Sequence, residues 1–140
     1  MFQHHTREQL RRDWLQAWQR RLAQQPLTPL EAQLADVIAL HPEYHEWLQQ
    51  GDAALQADFL PEGGQTNPFL HLSMHLALRE QVGTDRPRGI RAIHARLAAR
   101  SDAHQAEHMM MEALGRAIWE AQRAGRMPDE ERYLESLQRL

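Results

Sequence analysis

Six of the nine histidines in this 140-residue chain form three pairs at one spacing. His41 and His45 lie in HPEYH, His71 and His75 in HLSMH, and His104 and His108 in HQAEH. On a helix, residues i and i+4 share a face, with Cβ atoms about 5–6 Å apart. Two imidazoles so placed can converge on one cation at about 2.0–2.1 Å per zinc–nitrogen bond. Nine histidines scattered at random over a chain of this length would give about half such a pair. Carboxylates accompany the pairs. Glu107 and Glu112 share the face of His104 and His108, while Glu43 and Glu46 flank the first pair. Glu80 stands five residues beyond His75, roughly 140° around a helix, and is a poorer partner for the same ion. Mixed imidazole and carboxylate ligation suits Zn, Fe or Mn and does not suit Cu(I), which prefers sulfur. The expectation is therefore one or two such ions held by His71, His75, His104 and His108. His41, His45 and a carboxylate, Glu107 or Glu112, would complete the shell. The first pair is the weakest, because Pro42 disfavours helical geometry at His41.

An open ligand position on such an ion would activate water or dioxygen. The chain has no H-E-x-x-H, since HPEYH carries its Glu at the third position, and no Gly-rich phosphate loop or nucleophile elbow. No motif names a substrate, so whether the protein is an enzyme is left open. The alternative reading is an adaptor: a non-catalytic helical bundle whose histidines form a buried hydrogen-bond network and whose Trp-rich first helix packs on another protein. A protein partner or a homo-oligomer is compatible with either reading.

Helices must position these groups, and the punctuation along the chain is helical. Thr6 and Gln9 make a capping box, followed by Leu10, Trp14, Trp18 and Leu22 at four-residue intervals. Thr28-Pro29-Leu30-Glu31 opens a second helix, with Leu30, Leu34, Val37, Ile38 and His41 on one face. A short segment runs from Glu43 to Gln50. Residues 51–66, with Pro61 and Gly63-Gly64, read as an exposed loop. Asn67-Pro68 opens a third helix that is apolar nearly all round, so the stretch at about 67–82 is expected to be the buried central helix. Thr84 or Asp85 caps a fourth helix with Pro87 in its first turn, Ser101 or Asp102 a fifth ending near Gly125, and Asp129 a last one carrying Tyr133, Leu134, Leu137 and Leu140. No segment alternates with a period of two. The expected fold is an all-α, single-domain helical bundle of five to six helices spanning residues 1–140.

Composition sets the outer bounds. The chain has no cysteine, which excludes disulfide scaffolds, cysteine-ligated zinc and thiol catalysis. A net charge of −3 argues against a general nucleic-acid binder. The series Arg86, Arg88, Arg91, Arg96 and Arg100 reads as a solvated helix face. No apolar run approaches the roughly 18 residues of a membrane span, and MFQHHTREQL does not read as a secretory signal. The trio Met109-Met110-Met111 reads as core filler with one exposed residue.

The blocks HPEYH, NPFLHLSMHLALREQ and EHMMMEALGRAIWEAQR, in that order and spacing, resemble a family of short bacterial proteins catalogued as domain of unknown function 1841. The resemblance covers residues from about Arg11 to Tyr133 and is most specific at Asn67–His71. It implies a bacterial, cytoplasmic protein and assigns no activity. A looser likeness to hemerythrin-like bundles ends at the ligand order, which differs.

Overall fold

A computed structural model describes residues 7–58 and 67–140. These residues are helical, with no strand among them. The chain divides into two compact units, one up to Ser73 and the other from Met74. The helices are α1 (Arg7–Leu22), α2 (Pro29–Ala39), α3 (His45–Leu48), α4 (Asp52–Gln56), α5 (Pro68–Thr84), α6 (Ile90–Ala98), α7 (Ala103–Ala124) and α8 (Glu130–Gln138), with one 3-10 turn at Pro42–Tyr44. Helix α5 contributes its first six residues to the first unit and the rest to the second.

Eight helices among the described residues correct the expected five to six. The surplus comes from the stretch after α2. Pro42 supplies no amide hydrogen, and Gly51 turns the chain with φ +62°, so this stretch is cut into short helices. Helix α4 forms where a loop was expected, because Ala54 and Leu55 are buried. Residues 59–66, the rest of that expected loop, lie outside the described residues, as do His4, His5 and the cap at Thr6.

In the first unit, α1 packs on α2 and α4. Arg11, Trp14, Leu15, Ala17 and Trp18 are its buried residues. Leu10 and Leu22, read as part of the core stripe, are half exposed at 50% and 52%. Four residues turn a helix by about 400°, so a strict four-residue repeat drifts about 40° per step and its two ends slide out of the core. Arg11 enters instead. Its guanidinium donates to the carbonyls of Leu55 at 3.0 Å and Ala57 at 2.7 Å, closing the carboxyl end of α4, and it lies 4.8 Å from the Phe69 ring centroid. Orphan carbonyls at a helix end are a natural seat for a cation. Helix α2 starts with the expected capping box, Thr28 accepting from Glu31 N–H at 3.1 Å and Glu31 from Thr28 N–H at 2.9 Å. Arg20 holds the same carboxylate at 3.0 and 3.1 Å, tying α1 to α2.

The second unit is built on the core of Leu78, Ile90, Ile93, Leu97, Ala106, Met110, Leu114, Tyr133 and Leu137. Asp102 caps α7 by accepting from Gln105 N–H at 2.8 Å, and Asp129 caps α8. Helix α6 begins later than expected, at Ile90, so Pro87 precedes it. Asp85 reaches forward to accept from Gly89 N–H at 3.1 Å and Arg91 N–H at 3.0 Å, while the Arg91 side chain reaches back to the carbonyls of Val82 and Gly83. Helix α5 is not buried on every side. His75, Leu72 and Leu78 are enclosed, but Leu70, at 59%, and Ser73 and Glu80 are exposed along one stripe. The apolar character of α5 hid that stripe from a reading of its periodicity.

Candidate functional site

Three of the expected histidines meet within the second unit. Helix α7 opens at the Asp102 cap, so His104 and His108 fall in its first two turns with their side chains on one face. Their ring centroids are 4.4 Å apart at 69°. His75 comes from α5. Its ring stacks on His104 at 4.7 Å and 5° and meets His108 edge-on at 4.7 Å. One ligand atom from each of the three lies within 4.8 Å of the others. Tetrahedral coordination at 2.0–2.1 Å would set such nitrogens about 3.3 Å apart, inside the 4.8 Å bound seen here.

His75 is fully buried, and its neighbour fixes the role of one ring nitrogen. Glu107 Oε1 lies 2.8 Å from His75 Nδ1 and 3.3 Å from Arg79 Nε. A carboxylate only accepts, so Nδ1 carries a proton, and in the neutral ring the lone pair is then on Nε2. Burial acts to raise the Glu107 carboxyl, but the His75 hydrogen bond and the nearby Arg79 charge together hold it below the ordinary carboxylate value. Glu107 is therefore an ionised, buried group behind His75. An imidazole backed by a carboxylate on its far nitrogen is how proteins orient metal-binding histidines. Sequence spacing offered Glu107 as a ligand; the geometry gives it this supporting place.

The other expected ligands make contacts of their own. Glu112 is exposed and faces Arg116 at 3.8 Å. In the first unit, Pro42 ends the helical register, and the two histidines of HPEYH take different partners. His45 Nε2 donates to Ile38 O at 2.8 Å, and its ring lies 4.5 Å from Trp18. His41 is buried and donates through Nδ1 to Val37 O at 2.8 Å. Its ring stacks on Tyr44 at 5.6 Å and meets the edge of His71 at 5.0 Å. His71 also meets Tyr44 and does not join the cluster that contains His75, four residues later on the same helix. Tyr44 is held above its usual pKa by burial and by the Glu43 charge.

Arg79 was missed in the sequence. Its signal was there: it stands four residues after His75, hence on the same face of α5. An arginine beside histidines does not fit a ligand pattern, so spacing alone passes over it.

An all-helical protein with a cluster of buried and half-buried histidines is the class that fold and site define. The chain belongs to the family described as Domain of unknown function (DUF1841), whose model matches residues 6–139. No curated protein and no solved structure matches it. No helix among the described residues is long and apolar enough to cross a membrane.

Proposed function

We propose that this protein binds a divalent transition metal, Zn, Fe or Mn, through His75, His104 and His108. The observation that carries the reading is the convergence of three imidazoles, one of them backed by the ionised Glu107. A cation among three neutral imidazoles can take a lone pair from each. If two or three of the rings were protonated instead, each charged pair at this separation would cost about 4 kcal/mol at an effective dielectric of 20. Three protein ligands leave a position for water or dioxygen, as catalytic metal sites require; four imidazoles make a closed, structural site.

Elemental analysis of protein purified without a polyhistidine tag tests the proposal. The expected result is about one ion per chain, lost in His75→Ala and His104→Ala. A metal content well below one ion per chain, unchanged by those substitutions, would overturn it and leave a buried histidine hydrogen-bond network.

A further inference from the structure

Glu107 stands where it could do either of two jobs. It follows His104 by three residues and precedes His108 by one, so it rises from α7 beside both ring-bearing residues. A single oxygen, Oε1, accepts from both His75 Nδ1 and Arg79 Nε. Arg79 is half-buried and rises from α5 one turn beyond His75, on the same face. The guanidinium and the imidazole thus pin the carboxylate from one helix while Glu107 rises from another. Swinging Glu107 onto an ion would break both contacts and leave the Arg79 charge facing a metal cation.

We propose that Arg79 is a positioning residue that keeps Glu107 out of the metal's coordination shell and so sets which metal the site selects. This inference rests on the metal-binding reading above. With Arg79 in place, the ligand set from these residues is all nitrogen, and Glu107 acts only through His75. Imidazole suits Zn²⁺, whereas Mn²⁺ favours carboxylate and water oxygen. Nitrogen-only ligation therefore widens the preference for Zn²⁺ over Mn²⁺ beyond the general affinity order. Removing the guanidinium frees Glu107 to supply an oxygen and narrows that preference. Removing the carboxylate has a different signature: it weakens the orientation of His75 for every metal, typically 10–100-fold, with little effect on the choice among metals.

The experiment compares Zn²⁺ and Mn²⁺ affinities, measured with the metal ions alone, in the wild-type protein, Arg79→Gln and Glu107→Gln. Arg79→Gln is expected to lower the Zn²⁺/Mn²⁺ affinity ratio at least tenfold, mainly by tighter Mn²⁺ binding. Glu107→Gln should weaken both metals and shift the ratio less than threefold. A third protein, Arg79→Gln with Glu107→Gln, should restore the wild-type ratio at lower affinity. A ratio unchanged in Arg79→Gln, or changed equally in the double variant, would overturn the inference while leaving the metal site standing. No metal binding in the wild type would overturn both. Histidine ¹⁵N spectra of the metal-free protein give a separate readout: Arg79→Gln should leave His75 protonated at Nδ1, whereas loss of that tautomer there would reduce Arg79 to a structural prop.

Discussion

HPEYH in the first unit and HQAEH in the second place two histidines at the same spacing, yet only HQAEH makes a site within its unit. In HQAEH the intervening residues Gln105, Ala106 and Glu107 all favour a continuous helix, and both rings emerge on one face of α7. In HPEYH, Pro42 replaces helix by a 3-10 turn, and each imidazole finds a backbone carbonyl of α2 instead. Spacing is therefore informative only when the residues between can carry the period that gives it meaning. The second lesson concerns satisfaction. A histidine whose ring nitrogen closes on a carbonyl of its own unit is explained as a structural group, as His45 is. A histidine backed by a carboxylate, as His75 is, has its other nitrogen turned into a better donor to metal.

The largest contrast expected between the two pairs is in metal binding. His104→Ala and His108→Ala should each lower affinity at least 100-fold, because each removes a ligand, while His45→Gln should change it less than twofold. Isothermal titration with Zn²⁺ on chelator-treated protein measures both. An equal loss in His45→Gln would erase the distinction drawn between the pairs. Chelation of the wild type should lower its melting temperature, since bound metal stabilises by mass action. The same treatment of His75→Ala should leave the midpoint unchanged.

The next contrast is in stability, and it runs the other way. Arg11 buries its charge in the first unit by closing the end of α4, and burial works to lower its pKa, followed by the repulsion of Arg7. Arg11→Met should cost about 2–4 kcal/mol in urea unfolding, because the helix-end carbonyls lose a charged donor. Met110→Ala in the core of the second unit should cost about 2–5 kcal/mol by the cavity it opens. Neither substitution replaces a proposed ligand. A metal affinity that falls in step with stability in Arg11→Met would show that the site depends on global folding rather than on its own residues.

These two regions also mark what could be read ahead of the structure. The caps at Thr28, Asp102 and Asp129 were legible because capping is local: a side chain meets amides two or three residues away. The helical class and the pair His104/His108 were legible for the same reason. Helix α4 was not, because its stability comes from burying Ala54 and Leu55 and from Arg11, 43 residues or more away in sequence. His71 looked equal to His75 on an apolar helix. What separates them is Glu107, 32 residues beyond His75, a relation that no periodicity encodes. The exposed stripe at Leu70 was likewise invisible, since an apolar helix does not reveal which of its sides goes uncovered.

The smallest effect is a matter of acid, and it compares the turns that join helices in the two units. In the first, Glu31 is held below the ordinary carboxylate value chiefly by the Thr28 N–H, with desolvation opposing and the Arg20 charge adding to the effect. In the second, Asp85 is held down chiefly by the Arg91 N–H, against desolvation and with help from the Gly89 N–H. Both folded-state values are depressed, so the stabilisation is present above the unfolded values of about 4.3 and 3.9 and is lost as pH falls through the lower folded ones. Melting temperature between pH 4.5 and 3 should therefore fall in the wild type and fall less steeply in Glu31→Gln and in Asp85→Asn. Both substitutions keep one acceptor oxygen for the backbone N–H and remove the charge, and Asn suits the φ of +52° at position 85 at least as well as Asp. If the slope drops in Asp85→Asn alone, the turn before α6 governs acid stability and the capping box of α2 does not; equal slopes in all three proteins would show that neither carboxylate carries it.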